Sequence, residues 1–240
     1  MGEGARIGDR ARVIVLGRQG AGKGTQCSRL ARRLDVPHIS TGDLFRAEVA
    51  AATPLGLRAG GYLERGELVP DEIVLDLVAA RLGGPDGRAD GYLLDGFPRT
   101  LSQGQALFEV LGTSAADRAV ELHVPTHVVL PRLAARRVCD RCGTSTTVAP
   151  GGVAEPPCEC GGTSVRRADD TDEAISTRLA LYDTETGPLL TWLDSIGVLT
   201  TVDGTGRPDV VAERMVEAVA DLLQSSAGGA DLVPGLADAG

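Results

Sequence analysis

The chain contains few aromatic residues and no excess of positive charge. Phe, Trp and Tyr make up 3% of its 240 residues, too few for the base-stacking surfaces of proteins that bind single-stranded nucleic acids. Its formal net charge is −9, whereas proteins that bind nucleic acids in general are basic. The composition therefore argues against general nucleic-acid binding, and any site for a polyanion has to be local.

Long apolar segments are lacking as well. No run approaches the roughly 18 to 20 apolar residues of a membrane span, and residues 1–12 are charged, without the apolar centre of a signal peptide. Hydrophobic residues still make up 42% of the chain, which suits a globular protein, and 240 residues are enough for one domain with an insertion or for two small domains. We expect a cytoplasmic protein without a membrane partner.

Lysine is nearly absent, because Lys23 is the only lysine among 24 basic residues. It lies in a glycine-rich segment, 17–25, which follows the continuous apolar run 13–16 and precedes a segment whose apolar residues recur at helical spacing. A buried strand, a glycine-rich loop and a helix in this order predict a loop whose N–H groups cradle phosphates. The ammonium of Lys23 would reach the outer phosphates, where the planar fork of an arginine does not fit.

The alternative interpretation of this segment is a glycine-rich turn without a ligand. The pattern also departs from the usual form, in which Ser or Thr directly follows the lysine, since Gly24 here precedes Thr25. Thr25 is still a candidate to offer its hydroxyl to Mg²⁺. The expected phosphate contacts of the loop are Gly20, Ala21, Gly22, Lys23, Gly24 and Thr25.

Further short apolar runs alternate with segments of helical period. These candidate strands span residues 38–40, 92–95, 119–124 and 198–202. The alternation predicts an α/β fold, a parallel sheet flanked by helices. Ligands of such sheets bind beyond the carboxyl ends of the strands, where the loop after Leu16 and the carboxylate of Asp95 are expected to meet. Asp95 is therefore a candidate to hold Mg²⁺ through its water shell; a turn or helix-capping role is the alternative.

Residues 138–165 do not continue this alternation of strands and helices, since they show no clear helix or strand period and contain four cysteines. We interpret them as an inserted lobe. Cys139 and Cys142 have the spacing of half a zinc knuckle, whereas Cys158 and Cys160 are separated by one residue, a tighter pair that can strain tetrahedral geometry. A structural Zn²⁺ on the four thiolates is favoured over free thiols, and a disulfide comes third because cytosolic proteins rarely keep one.

The last residues have a different composition. Residues 225–240 are rich in Ala, Gly and Asp. Such a segment buries too little apolar surface to fold. We expect this tail to be disordered.

Several motifs follow one another in order over roughly residues 12 to 222. They are the loop 17–25, Ser40-Thr41-Gly42-Asp43, Asp95-Gly96-Phe97-Pro98-Arg99, Arg136-Arg137, and Arg167-Ala168-Asp169-Asp170 followed by Arg178. In this order they resemble the adenylate kinases, which are nucleoside monophosphate kinases, in their long form with a cysteine-bearing lid.

This resemblance implies a P-loop core of residues 12–137 and 166–222, with a monophosphate-binding region at 40–69 and a lid at 138–165. The implied activity is reversible, Mg²⁺-dependent phosphoryl transfer from ATP to AMP, giving two ADP, in a monomer. The transfer needs two phosphates in line, their charge neutralised and water excluded, and little covalent work by the protein. A zinc ion would stiffen the lid without taking part in the chemistry.

The resemblance also implies roles for particular side chains. Its catalytic set is Lys23, Asp95, Arg99, Arg136, Arg167 and Arg178. The ATP contacts are the six loop residues together with Arg132, over the adenine, Arg136 and Arg207. The AMP contacts are Thr41, Gly42, Arg46, Leu68, Val69, Gly96, Arg99, Gln103, Arg167 and Arg178. Any such arginine taken alone would be interpreted as a solvated surface residue, and the motif positions favour phosphate contacts.

Some of these positions have alternative interpretations. The amide of Gln103 can both donate to and accept from an adenine edge, or it can be a surface residue at a helix start. Asp169 and Asp170 either pair with lid arginines or cap the helix that follows.

Two features depart from the family pattern. Arg18 and Gln19 occupy a place where a proline is expected before the second glycine, which predicts a less rigid loop. Pro131 lies inside an expected helix, 127–137, and is expected to kink it near Arg132.

Rival functions share parts of these patterns. A regulatory GTPase has a similar loop, but it needs an Asn-Lys-x-Asp box, and the only lysine is already in the loop. A zinc-ribbon protein that binds nucleic acid would use the four cysteines and the neighbouring arginines, against the net charge. A kinase for another nucleoside monophosphate is the third alternative; Thr100 and Gln103 stand where a pyrimidine-preferring relative is expected to carry asparagines.

Overall fold

A five-stranded parallel sheet forms the centre of the fold. The computed structural model describes residues 11–83, 91–148 and 158–227. The strands of the sheet are β1 (Arg12–Leu16), β2 (His38–Ser40), β3 (Tyr92–Asp95), β4 (Arg118–His123) and β8 (Leu199–Asp203), in the spatial order β2-β3-β1-β4-β8. Every neighbouring pair is parallel, so the predicted α/β fold is confirmed. The apolar runs place these strands within one residue of their expected bounds.

Helices cover both faces of the sheet. They are α1 (Lys23–Leu34), α2 (Thr41–Ala50), α3 (Pro54–Arg65), α4 (Asp71–Gly83), α5 (Leu101–Leu111), α6 (Thr126–Ala135), α7 (Asp172–Leu181), α8 (Gly187–Ser195), α9 (Pro208–Glu217) and α10 (Ala220–Ala227). A 3-10 turn at Gly112–Ala115 follows α5, and a π-helical segment at Tyr182–Thr186 joins α7 to α8. Within the described residues, no helix is both long and apolar enough for a membrane span.

The central strand β1 divides the hydrophobic core in two. Val13 and Val15 pack with residues of α1, α6 and α9, whereas Ile14 and Leu16 pack with residues of α4, α5 and α8. All four side chains are at most 3% exposed. A strand buried on both faces needs apolar residues at every position, which explains the absence of alternation in this run.

A second sheet, called the small sheet below, contains three short antiparallel strands: β5 (Arg136–Cys139), β6 (Ser145–Thr147) and β7 (Ser164–Val165), in the order β6-β5-β7. Residues 138–165 show no clear strand period in the sequence, yet their described part contains strands, and the sheet begins at Arg136, directly after α6. Strands of two to four residues are too short to show a period in the sequence. Residues 149–157 of the expected lobe lie outside the described residues.

Two more expectations on helices are corrected. Helix α6 continues past Pro131 and ends at Ala135, two residues before the predicted end. Of the tail expected to be disordered, residues 225–227 belong to α10, and residues 228–240 lie outside the described part of the chain.

Candidate active site

The glycine-rich loop between β1 and α1 has a backbone that only glycine adopts easily. Gly17, Gly20 and Gly22 have φ angles of 149°, 81° and 98°. A Cβ on Gly17 would lie 2.7 Å from the carbonyl oxygen of Leu122. Helix α1 begins at Lys23, directly after this loop, so the loop N–H groups and the helix N-terminus share one place. Such an arrangement binds phosphate oxygens.

The ammonium of Lys23 folds back into the loop. Its Nζ donates to the carbonyl oxygens of Gly17, at 2.6 Å, and Arg18, at 3.2 Å. Burial lowers the pKa of Lys23, and the nearby Asp95 carboxylate opposes this shift. The single lysine therefore lies at the loop centre, beside the carboxyl end of β3.

Side chains tether the loop where the family pattern has a proline. Gln19 Nε2 donates to Asp170 Oδ1 at 2.9 Å. Arg18 pairs with Asp183 and stacks over the ring of Tyr182, with 5.2 Å between the guanidinium carbon and the ring centroid. Tyr182 and Asp183 belong to the π-helical segment. These contacts oppose the loss of loop rigidity that the sequence predicts. The sequence itself does not reveal them.

Asp95 ends β3 and is 7% exposed. Its Oδ2 lies 3.3 Å from His38 Nε2, and the ligand atoms of Asp95, His38 and Cys27 all lie within 4.8 Å of one another. Cys27 is fully buried in the core on α1. Sequence analysis missed His38; the only available signal was its position at the start of a parallel strand next to β3.

Arginines from distant parts of the sequence gather beyond this edge. Burial and the guanidinium of Arg178 lower the pKa of Arg99 to about 10, with Arg46 and Arg167 adding to the shift. Burial and Arg167 likewise lower the pKa of Arg46. Guanidinium groups that destabilise one another's charge create a site where an anion is strongly favoured.

Two aspartates bind this arginine cluster from within. Asp170 is 1% exposed and accepts from Arg136 Nε at 2.8 Å. Asp169 accepts from Arg167 Nε at 2.9 Å and from Arg178 at 3.0 Å. Despite burial, which raises it, the pKa of Asp169 is lowered to about 2 by Arg167 and Arg178.

The structure distinguishes between the capping and the pairing interpretation of these aspartates. The N-cap of α7 is Thr171, whose hydroxyl accepts from the N–H of Ala174 at 3.1 Å. The capping interpretation of Asp169 and Asp170 is wrong, and the pairing interpretation agrees with their contacts.

A cleft lies between residues of α2, α3 and α4 and the end of β3. Most of the expected AMP contacts line it: Thr41, Gly42, Leu68, Val69, Gly96, Arg99 and Gln103. Phe45, Leu63, Glu67 and Val74 line it too and were missed. Arg46 lies against Gly42, since a Cβ on that glycine would be 3.1 Å from its guanidinium, and Arg178 donates to the carbonyl oxygen of Leu63 at 2.7 Å. Both arginines therefore lie near the cleft.

Gln103 is 2% exposed, so its interpretation as a surface residue is wrong. It is the third residue of α5, whose N-cap Thr100 accepts from the Gln103 N–H. The side-chain Oε1 of Gln103 accepts from the N–H of Arg99 at 2.8 Å, and Nε2 donates to Asp71 Oδ1 at 2.7 Å. Both polar atoms of this amide are therefore hydrogen-bonded. Its bond to a backbone N–H just before the helix resembles the capping box.

The two remaining predicted ATP contacts lie on the other side of the loop. Arg132 donates to the carbonyl oxygens of Ala21, at 3.2 Å, and Gly204, at 3.4 Å, so Pro131 does not keep it from the loop. Arg207, just before α9, is different: its side chain is 81% exposed and pairs with Asp209 at 2.9 Å. Arg207 therefore stands apart from the arginine cluster.

The four cysteines of the small sheet come together. Their sulfur atoms lie within 4.8 Å of one another, with 3.4 Å between Cys139 and Cys160 and 3.5 Å between Cys142 and Cys158. Tetrahedral Zn²⁺ with thiolate ligands requires sulfur separations of about 3.8 Å. The Arg141 N–H points to the Cys139 sulfur at 3.4 Å. Hydrogen bonds from Thr144 lower the pKa of Cys142 to about 6, whereas the neighbouring thiols raise the pKa of Cys160. The placement of the four sulfur atoms is what fits a zinc ion, despite the tighter second pair.

Comparison with known proteins agrees with this geometry. A family model described as adenylate kinase matches residues 15–198. Curated proteins named adenylate kinase match most of the chain. One from Clostridium tetani is 43% identical over 209 residues, which cover 85% of this chain and 95% of the relative. One from Thermodesulfovibrio yellowstonii is 44% identical over 204 residues, covering 83% and 94%. One from Moorella thermoacetica is 44% identical over 198 residues, covering 81% and 91%. The loop, the sheet order and this similarity over most of the chain lead to one conclusion: the chain belongs to the adenylate kinase family.

Proposed function

We propose that this protein is an adenylate kinase, which transfers a phosphoryl group from ATP to AMP in the presence of Mg²⁺ and reverses the reaction with two ADP. The observation that carries this proposal is the position of Asp170. Its carboxylate contacts Gln19 of the phosphate loop, Arg136 at the start of the small sheet and Arg178 of α7. The loop and the arginine cluster are therefore adjacent, as transfer between two phosphates requires.

On the ATP side, the loop N–H groups at residues 20–25 bind phosphates, and Lys23 leaves its carbonyl partners to contact their outer oxygens. Arg132 lies against the loop backbone and covers the adenine. Arg207, at the exposed edge, contributes to the same nucleotide. Asp95 orients the Mg²⁺ that ATP carries, through the water shell of the ion.

On the AMP side, Arg46 and Arg99 hold the phosphate, while Thr41, Gly42, Leu68, Val69, Gly96 and Gln103 surround the nucleoside. Arg136, Arg167 and Arg178 stabilise the charge that spreads over the transferred phosphoryl group. The aspartate partners of these three arginines neutralise them in the absence of nucleotide. Substrate phosphates replace these carboxylates without moving the guanidiniums far.

We propose that the chain is divided as the resemblance implies. Residues 12–137 and 166–222 form the core, residues 40–69 close over the monophosphate, and the small sheet with residues 138–165 closes over ATP as a lid. Cys139, Cys142, Cys158 and Cys160 hold a structural Zn²⁺ that fixes the shape of the lid. The enzyme acts as a cytoplasmic monomer.

A coupled assay tests the function directly. Purified protein with ATP, AMP and Mg²⁺ is expected to produce two ADP per turnover, and CMP, UMP and GMP are expected to be poor acceptors. No turnover with any monophosphate would refute the kinase. Binding of RNA that persisted after chelation of zinc would count against a zinc-ribbon function as well.

A further inference from the structure

The amide of Gln103 has one orientation that suits its neighbours. Its Nε2 faces Asp71 Oδ1 at 2.7 Å, and its Oε1 faces the backbone N–H of Arg99 at 2.8 Å. Rotating the amide by half a turn would place Oε1 against a carboxylate oxygen and the NH₂ group against another N–H. Two hydrogen bonds, one of them to a charge, would become two repulsive contacts.

The carboxylate of Asp71 is itself held in place. Its Oδ2 accepts from the hydroxyl of Ser102 at 2.5 Å and lies 3.4 Å from that of Thr100. Asp71 is the first residue of α4, where the helix N-terminus favours a negative charge. Asp71 therefore presents a fixed acceptor to Gln103.

The remaining hydrogen-bonding capacity of the amide faces the cleft. A carboxamide has two N–H donors and two lone pairs, and Asp71 and Arg99 each use one. One N–H and one lone pair remain on the residue that lines the cleft. This pair complements a 6-aminopurine, whose N1 accepts and whose 6-amino group donates. A 6-oxopurine presents the reverse pattern, an N1–H donor and an O6 acceptor.

We propose that Asp71 is the residue that sets the base specificity of the monophosphate site, by fixing the polarity of the Gln103 amide so that 6-aminopurines bind and 6-oxopurines do not. This proposal rests on the proposed kinase function, because Gln103 is taken to face the base of the acceptor. Asp71 is a positioning residue here, since it acts through Gln103.

The test compares AMP with inosine monophosphate (IMP), which differs at the 6-position, as acceptors with saturating ATP. The variant Asp71→Asn keeps the size and the helix-start position but replaces the acceptor-only carboxylate by an amide, so that of the two contacts that fix the polarity of the Gln103 amide only the N–H of Arg99 remains. Glu72→Gln is the matched control, because it removes the same charge from the neighbouring, exposed position of α4. Asp71→Ala removes the acceptor altogether. Melting curves verify that each variant is folded.

The wild type is expected to prefer AMP strongly. In Asp71→Asn the ratio of kcat/KM for AMP to that for IMP is expected to fall about tenfold or more, mainly through a higher KM for AMP. The KM for ATP and the kcat at saturating AMP stay within about threefold of the wild type, which a merely structural defect would not produce. Glu72→Gln is expected to keep the wild-type ratio.

The outcomes separate the two proposals. A wild-type enzyme without AMP turnover refutes the function itself. An active wild type whose AMP-to-IMP ratio is retained in both Asp71 variants overturns the role of Asp71 alone. An equal fall of the AMP-to-IMP ratio in Glu72→Gln also overturns the role of Asp71, because the effect would then come from the charge at the helix start. If Asp71→Ala does not fold, Asp71→Asn decides.

Discussion

At the scale of single residues, the basic groups of the candidate site are held by hydrogen bonds and ion pairs within the protein. Lys23 donates to two loop carbonyls, and the arginines around the cleft are bound to Asp169, Asp170 and Asp43. A buried charge without a partner is costly. Each of these contacts therefore holds in place a group that we propose to bind phosphate.

Lys23→Arg should lower kcat/KM by about a hundredfold or more, because the guanidinium has the right charge and the wrong shape for the loop centre. The melting temperature should stay within about 2 °C of the wild type. Steady-state kinetics with AMP and ATP measure the first effect. Arg32→Lys, a swap on the exposed side of α1, is the control and should leave the rate unchanged. A near-normal rate for Lys23→Arg would contradict the role given to the ammonium.

Asp169→Asn should alter the acid branch of the stability curve. The folded-state pKa of Asp169 is about 2, below its ordinary value of 3.8, so its pairs stabilise the fold above that ordinary value and the contribution is lost as the pH falls toward 2. We expect the variant to be about 2 kcal/mol less stable than the wild type at pH 6, and the difference to vanish near pH 2. Urea unfolding across this range measures it. Asp172→Asn, at an exposed carboxylate nearby, should show no such dependence; a difference independent of pH would contradict the pairing.

At the scale of elements, the sequence predicts the helices whose apolar residues recur at helical spacing and the strands that are continuous apolar runs. The five strands of the central sheet are visible because buried parallel strands are continuously apolar. The small sheet is not visible, since β5, β6 and β7 have two to four residues each and lie among exposed side chains. The spacing of the cysteines was the only sign that this segment has a defined shape.

Zinc is expected to hold the small sheet together. The purified protein should contain one Zn²⁺ per chain, and Cys160→Ser or chelation should remove it and lower the melting temperature by several degrees, because the sheet has few buried residues of its own. Elemental analysis and calorimetry measure both effects, and activity at low temperature should persist. Glu159→Gln, between the second pair of cysteines, is the control. No bound zinc together with an unchanged melting curve would remove the metal from this account.

At the scale of the whole molecule, an acidic protein encloses a basic site. The net charge is −9, yet Arg99 at the end of β3 lies close enough to Arg46, Arg167 and Arg178 for their charges to lower its pKa. The motifs identified most members of this cluster. The sequence could not predict which carboxylate each arginine binds, because two adjacent carboxylates are available: Arg167 binds Asp169, whereas Arg136 binds Asp170.

Nucleotides should stabilise the two halves of the site separately. At about 100 times its Kd, each ligand adds about 2.7 kcal/mol to the free energy of unfolding, which should raise the melting temperature by roughly 5 to 10 °C. AMP and a non-hydrolysable ATP analogue are tested alone and together by scanning fluorimetry. In Arg99→Lys the shift with AMP should be lost and the shift with the ATP analogue retained. Loss of both shifts would mean that the two sites are not separate.

The pairing of β5 with β7 also bears on how such a protein can evolve. Val138 lies opposite Val165, so the chain leaves the central fold and returns to it at neighbouring points. Everything between these points can be lengthened, trimmed or exchanged by recombination as one cassette, without displacing any strand of the large sheet. A related protein can thus carry a different segment between these two points and keep the same five-stranded sheet.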